Sequence, residues 1–269
     1  YINYMKVLKN KILHSIPVMT QKIDSTDDLP YIPTEPLPSS KSNAFYIVGH
    51  AGSGKSSLMM ALLSSRPTKK NKDKPRFFYR WYDRIYLISP SNSTLDLEKL
   101  KLNEKRIYDK YTDELMTEII ETEKDGENLN NLVLLDDSIR DVTKSKIFNR
   151  LILNRRHVTH NKDKDNTSGL SVWILSQKFN MLPLSFRSNM SDIILFKTEN
   201  RKELNAIRDE LMSDLTIEEQ TAVFKEAWSK KYGFLYIKAN NPKKDRYYSK
   251  FDKIVFDEKE EENEIVNEE

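Results

Sequence analysis

The sequence predicts an α/β fold built on a mostly parallel sheet, and three stretches carry that expectation. Ala44-Phe45-Tyr46-Ile47-Val48 is a short apolar, aromatic and β-branched run, followed by a glycine-rich turn and then by helix formers from Ser57 to Leu63. Leu132-Val133-Leu134-Leu135 is a continuous apolar run that ends in Asp136-Asp137, and Leu170 to Leu175 is a third such run with Gln177 just past its end. Strands buried on both faces of a parallel sheet read as unbroken apolar runs. Ligands of such sheets sit at the carboxyl ends of the strands.

The turn after Val48 carries the chemistry. Gly49-His50-Ala51-Gly52-Ser53-Gly54-Lys55-Ser56 fits G-x-x-x-x-G-K-[ST], the phosphate-cradling P-loop, in its required strand–loop–helix setting. Glycines at positions 49, 52 and 54 let the backbone take positive φ and approach a ligand closely. Successive N–H groups then form an anion nest at a helix N-terminus, where the helix dipole also favours negative charge. Gly49 to Ser57 is the expected nucleotide-binding stretch, with Lys55 reaching the β- and γ-phosphates and Ser56 ligating Mg²⁺. Asp136, at the end of the second apolar run, is expected to hold Mg²⁺ directly or through water. Asp137 is the candidate general base, a shorter side chain than the Glu more usual there. Gln177 is the candidate sensor of the γ-phosphate or the attacking water.

Composition sets the outer bounds. The chain has 269 residues, 38% hydrophobic and 32% charged, which suits one large α/β domain with appendages. It has no cysteine, so disulfides and Cys-based zinc sites are excluded. No run approaches the roughly 20 apolar residues that a membrane span needs. The start, Tyr1-Ile2-Asn3-Tyr4, has neither Met nor a signal-peptide pattern, as expected of a fragment or a processed chain. Residues 257–269 hold eight acidic residues and one lysine, which leaves 43 basic against 33 acidic residues in 1–256. A moderately basic body permits nucleic-acid binding, and the acidic tail reads as disordered and solvated.

In chain order, residues 1–43 read as an extended arm, with a short helix expected over Tyr4 to Ser15 and a proline-rich stretch through Pro33, Pro36 and Pro38. The P-loop helix ends near Arg66-Pro67. Residues 66–84 set eight basic side chains against two acidic ones, with five aromatic rings interleaved. Such a stretch either holds a nucleic-acid strand or is a solvated insertion whose rings pack. Ile85 to Ile88 is a strand, Thr112 to Glu123 a helix, and Lys144 to His157 a helix ending in Arg155-Arg156-His157. Ile193 to Phe196 is a further strand, with Arg187 and Asn189 in the loop before it. Asn200 to Met212 and Ile217 to Lys231 are helical. Residues 233–238 and 247–256 read as a closing β-hairpin. The ATPase domain is thus expected over 44–256.

A guanine-specific reading fails because Asn161-Lys162-Asp163-Lys164 has Lys164 where N-K-x-D needs Asp. A small-molecule kinase would need a recognisable lid and acceptor site. The separate strand between the P-loop strand and the Asp136 strand points to the P-loop branch with an additional strand and a catalytic carboxylate. Taken in order, the P-loop, Asp136-Asp137, Arg156-His157, Gln177 and the terminal Phe234-Leu235-Tyr236 and Tyr247-Tyr248 strands resemble the FtsK–HerA-type genome-packaging ATPases of large double-stranded DNA viruses. The nearest resemblance is to the poxvirus-type virion packaging ATPase and its relatives in giant viruses and virophages. It covers roughly residues 41–256.

The resemblance implies an ATP- and Mg²⁺-dependent motor that forms a homo-oligomeric ring and moves double-stranded DNA into a capsid. It implies a sheet of order 5-1-4-3-2, capsid or portal-like vertex partners, and a location in the virion or the viral factory of the host cytoplasm. It also implies an arginine supplied by the neighbouring subunit, with Arg156 the first candidate, Arg187 the second and Arg155 the third. Phosphate contacts to DNA are expected from 66–84 and from Lys243, Lys244 and Arg246. Two alternatives stay open: a nucleotide-binding assembly switch or scaffold, and a cellular HerA- or FtsK-like translocase.

Overall fold

The computed structural model describes residues 5–8, 33, 35–67, 69, 72, 76–90, 100, 102–125, 129–159 and 169–256. Five of the parallel strands are those that the apolar runs announce. β2 (Ala44–Val48), β3 (Arg84–Ile88), β5 (Asn131–Asp136), β6 (Leu170–Ser176) and β7 (Asp192–Phe196) lie side by side in the order β7-β2-β6-β5-β3. Counted from the P-loop strand this is 5-1-4-3-2, the implied order, and every pair within it is parallel. β2, β5, β6 and β7 are buried at every position. This is the strand order expected of the additional-strand P-loop branch.

Alternation along the strands sends side chains into two cores. Phe45, Ile47, Leu134 and Trp173 pack with Met59 and Leu62 of α1 (Lys55–Ser64) on one face. Tyr46, Val133 and Ile174 pack on the other face against α2 (Asp113–Asp125), α4 (Lys146–Asn154), α6 (Arg201–Leu211) and α7 (Ile217–Ala227). α3 (Ile139–Val142) and α5 (Leu184–Arg187) are helices of a single turn. The expected helix over 144–157 is shorter because Ser145 caps α4, its hydroxyl accepting from Phe148 N at 2.9 Å.

The sheet continues past both edges of this parallel block. β4 (Ile107–Tyr108) adds a short parallel strand beside β3. On the far side β8 (Phe234–Lys238), β9 (Tyr247–Ser249), β10 (Asp252–Phe256) and β1 (Met5–Leu8) follow one another antiparallel.

Two expectations are corrected there. The terminal hairpin is a three-stranded meander, because Lys250 takes φ 56° and reverses the chain between Ser249 and Asp252. Met5–Leu8 is a strand where a helix was expected. Pairing Val7 with Ile254 gives the backbone groups at the edge of β10 a partner, a long-range gain invisible to local propensity. The remainder of the expected N-terminal helix, the loop containing Asn161-Lys162 and the acidic tail lie outside the described residues.

Candidate functional site

The loop between β2 and α1 is tied to the tip of β6 by Gly49 N, which donates to Ser176 O at 3.0 Å. Gly52 and Gly54 take φ 77° and 104°, the left-handed region in which a side chain is strained. A Cβ on Gly49 would stand 2.5 Å from Ser53 Oγ and 2.7 Å from Phe196 Cβ, so the turn closes only around glycine. Leu58 N donates to Gly54 O at 2.8 Å, the first bond of α1. The N–H groups of Lys55, Ser56 and Ser57 precede it and have no acceptor within the helix. Lys55 Nζ donates to Gly49 O at 2.6 Å and to His50 O at 3.2 Å, which folds the ammonium back over the loop. Ser53 Oγ is buried with no hydrogen-bond partner.

The acids meet this loop from β5. Asp136 is its last residue and is buried, whereas Asp137 is exposed and held at φ 52°. Burial, with the Asp137 charge beside it, pushes the Asp136 carboxyl up to about 6, and the nearby Lys55 charge opposes that rise. Burial lowers Lys55 below the ordinary amine range, while Asp137 and Asp136 pull it back up. Gln177, just beyond β6, brings Nε2 to 3.4 Å from Asp137 Oδ1. Lys55, Asp136, Asp137 and Gln177 therefore gather at the carboxyl edge of adjacent strands.

Beside them opens a cleft of about 590 Å³ lined by Gly52, residues 54–58, Phe196, Tyr232 and Phe234, within the size range of small-molecule sites. Phe234 and Phe196 entered the sequence reading only as parts of strands and Tyr232 not at all, so none of the three rings was a candidate site residue. They come from β7, from the turn after α7 and from β8, and no local spacing links them to the P-loop. The residues fit a magnesium-bound polyphosphate: a glycine cradle, helix-start amides, a cation and a buried carboxylate share one place.

The arginines separate sharply. Arg187 donates through Nε to Glu210 Oε2 at 2.8 Å, its Nη1 donates to Leu182 O, and its guanidinium lies 4.7 Å from the Phe179 ring centroid. A buried, fully engaged guanidinium cannot reach a neighbour's nucleotide, so Arg187 is withdrawn as the trans candidate. Arg155 is likewise buried and donates to Ser42 O at 2.8 Å and Ile152 O at 3.2 Å. Arg156 is exposed. It follows Arg155, whose carbonyl accepts from Leu170 N at the start of β6. It thus lies at the amino edge of the sheet, roughly 20 Å of strand from its own P-loop.

Of the aromatic residues in 66–84, Phe77, Phe78 and Tyr82 are buried in the core. Tyr79 is half-buried, with Arg66, Arg76 and Arg80 guanidinium groups 4.7, 5.7 and 5.5 Å from its ring centroid. Lys243 is paired with Glu219 and Arg246 with Asp214, which leaves Lys244 as the exposed cation of that turn.

Solved structures of similar shape include the genome-packaging NTPase B204 of Sulfolobus turreted icosahedral virus 2 in complex with AMPPCP. Its identity to this chain is 14%, the match covers 80% of this chain and 98% of that one, and the TM-score is 0.52. The DNA-packaging ATPase B204 of Sulfolobus turreted icosahedral virus matches at 17% identity over 79% of this chain and 96% of that one, with a TM-score of 0.51. This chain shares their fold. No protein-family model and no curated protein matches it. Among the described residues no helix is long and apolar enough to cross a membrane.

Proposed function

We propose that this chain is an ATP-hydrolysing motor of the FtsK–HerA packaging type, acting on double-stranded DNA as a ring of identical subunits. The observation that carries the proposal is the meeting of Lys55, Asp136, Asp137 and Gln177 at the carboxyl edge of a 5-1-4-3-2 sheet. The shared fold with viral packaging NTPases supports it.

In this reading the amides of the 49–57 loop and Lys55 bind the phosphates. Ser56 and Asp136 would hold Mg²⁺. Bound there, the ion would neutralise charge on the phosphoryl oxygens. Asp137 takes a proton from the attacking water, and Gln177 orients both. The cation that completes the site comes from a second copy, since Arg156 lies at the opposite sheet edge from its own P-loop. Exposed Arg66 and Lys244 and the Arg80 beside Tyr79 offer phosphate contacts without base readout, and a virion-assembly setting follows from the same reading.

The test is turnover of ATP with and without duplex DNA at low salt. Stimulation by DNA, abolished in Lys55→Ala and Asp136→Ala, is the expected result. Turnover indifferent to DNA at every salt concentration would remove the motor reading and leave a nucleotide-dependent scaffold.

A further inference from the structure

Beside the glycine loop the cleft has an apolar, mostly aromatic wall. Tyr232 is 56% exposed and holds φ 59°, a conformation that side chains rarely adopt. Its place is fixed from behind. A Cβ on Gly233 would stand 2.4 Å from Ala227 O, and Gly233 N donates to Lys230 O at 2.9 Å, which locks this turn under the end of α7. In front, the position of a Cβ on Gly54 is 3.4 Å from Tyr232 Cδ1 and 3.6 Å from Phe196 Cε1. Phe234 backs the wall, its ring centroid 5.6 Å from that of Phe196, and Leu58 closes it from α1. Lys231 Nζ lies 5.0 Å from the Tyr232 ring centroid.

A phosphate chain gains nothing from three rings and a leucine beside its cradle, but a planar heteroaromatic base does. Stacking reads the face of a base, and every base has one. Strong discrimination between bases needs hydrogen bonds to their edges. Among the four apolar-wall side chains only Tyr232 carries a polar atom.

We propose that Tyr232 stacks on the base of a purine nucleoside triphosphate, and that this wall admits ATP and GTP alike. The inference rests on the nucleotide-binding reading above. Calorimetric titration of wild type, Tyr232→Ala and Tyr232→Phe with the magnesium forms of ATP, GTP and inorganic tripolyphosphate tests both separately. Wild type should bind ATP and GTP within about tenfold of each other and tripolyphosphate more weakly. Tyr232→Ala should lose about 5- to 150-fold for both nucleotides, the range measured for base–aromatic stacking, and keep its affinity for tripolyphosphate. Tyr232→Phe should retain the wild-type pattern. An unchanged ratio of ATP to tripolyphosphate affinity in Tyr232→Ala overturns the stacking, and rejection of GTP overturns the base tolerance. In both cases phosphate binding still stands. Failure of wild type to bind any of the three defeats the nucleotide reading itself.

Discussion

The side-chain amide of Gln177 lies 3.4 Å from a carboxylate oxygen of Asp137 and joins the tips of two neighbouring strands. Asp137 is exposed at φ 52°, so its carboxylate projects beyond the sheet rather than into it. Asp136, one residue earlier, is buried and near enough to Lys55 for their charges to interact. Adjacent carboxylates in such different surroundings suit different tasks, one to hold a cation and one to take a proton.

Asp137→Asn should therefore lower kcat by about 10²–10⁴-fold, the usual worth of a general base, with little change in nucleotide affinity. Gln177→Leu should lower kcat in the same direction and by less. Single-turnover kinetics beside equilibrium binding would show it, and an Asp137→Asn protein hydrolysing at the wild-type rate would assign the proton transfer elsewhere.

Two of the loop glycines, Gly49 and Gly52, should respond differently to alanine. At Gly49 the new methyl meets Ser53 Oγ at 2.5 Å and Phe196 Cβ at 2.7 Å, so the loop must shift. A cost of about 1–3 kcal/mol in stability is expected for such overpacking, together with loss of nucleotide binding. At Gly52 nothing lies within 4 Å, and only the φ of 77° opposes the change, at about 1–2 kcal/mol. Thermal unfolding and nucleotide titration of the two variants should rank Gly49→Ala as the more damaging. The reverse order would mean that the turn is not held as described.

Arg187 and Arg156 make opposite predictions. Arg187→Ala strands Glu210 without its guanidinium and should cost about 3 kcal/mol, the low end for breaking a buried pair because Glu210 keeps some solvent contact. Arg156→Ala removes an exposed side chain and should change stability by no more than about 0.5 kcal/mol. Its turnover should nonetheless fall by about 10³–10⁵-fold, as when an arginine finger is lost. Mixing Arg156→Ala with Lys55→Ala protein should restore part of the activity, because some interfaces then combine an intact Lys55 with an intact Arg156. Restoration by neither mixture nor ratio would place the arginine elsewhere.

What the sequence made legible follows from which forces are local. β2, β5 and β6 are buried throughout, so their apolar runs leave no alternative to a central strand, and their order came with the family resemblance. The P-loop is legible because three glycines, Lys55 and Ser56 fall within eight residues between one strand and one helix. Met5–Leu8 was misread because its strand exists only through the edge of β10, at the other end of the chain. Lys250 gave no glycine or asparagine signal for its left-handed turn; the reversal is held by Lys250 N donating to Phe234 O at 2.9 Å and by Phe251 against Phe77 and Phe234. Tyr232 and Phe196 escaped for the same reason: an aromatic wall assembled from separate elements has no spacing to read. Arg187 looked like a finger by position, and only its contact with Glu210, 23 residues on, shows otherwise.

Asp192 makes the last prediction. It begins β7 fully inside the protein, where Tyr236 Oη donates to Oδ1 at 2.5 Å and Ser191 Oγ to Oδ2 at 2.7 Å. Burial pushes its carboxyl up from 3.8 to about 6, against the pull of those two donors and of the Lys238 and Arg155 charges. A carboxyl that binds its proton more tightly in the folded chain stabilises the fold below its unfolded pKa, and that contribution is lost as pH rises through about 6. Asp136 shifts the same way and adds to the trend. Wild type should thus gain resistance to urea between pH 7.5 and pH 5, and Asp192→Asn, which keeps an acceptor for Tyr236 but cannot titrate, should gain less. Equal gains in the two proteins would show that Asp192 keeps an ordinary carboxylate pKa despite its burial.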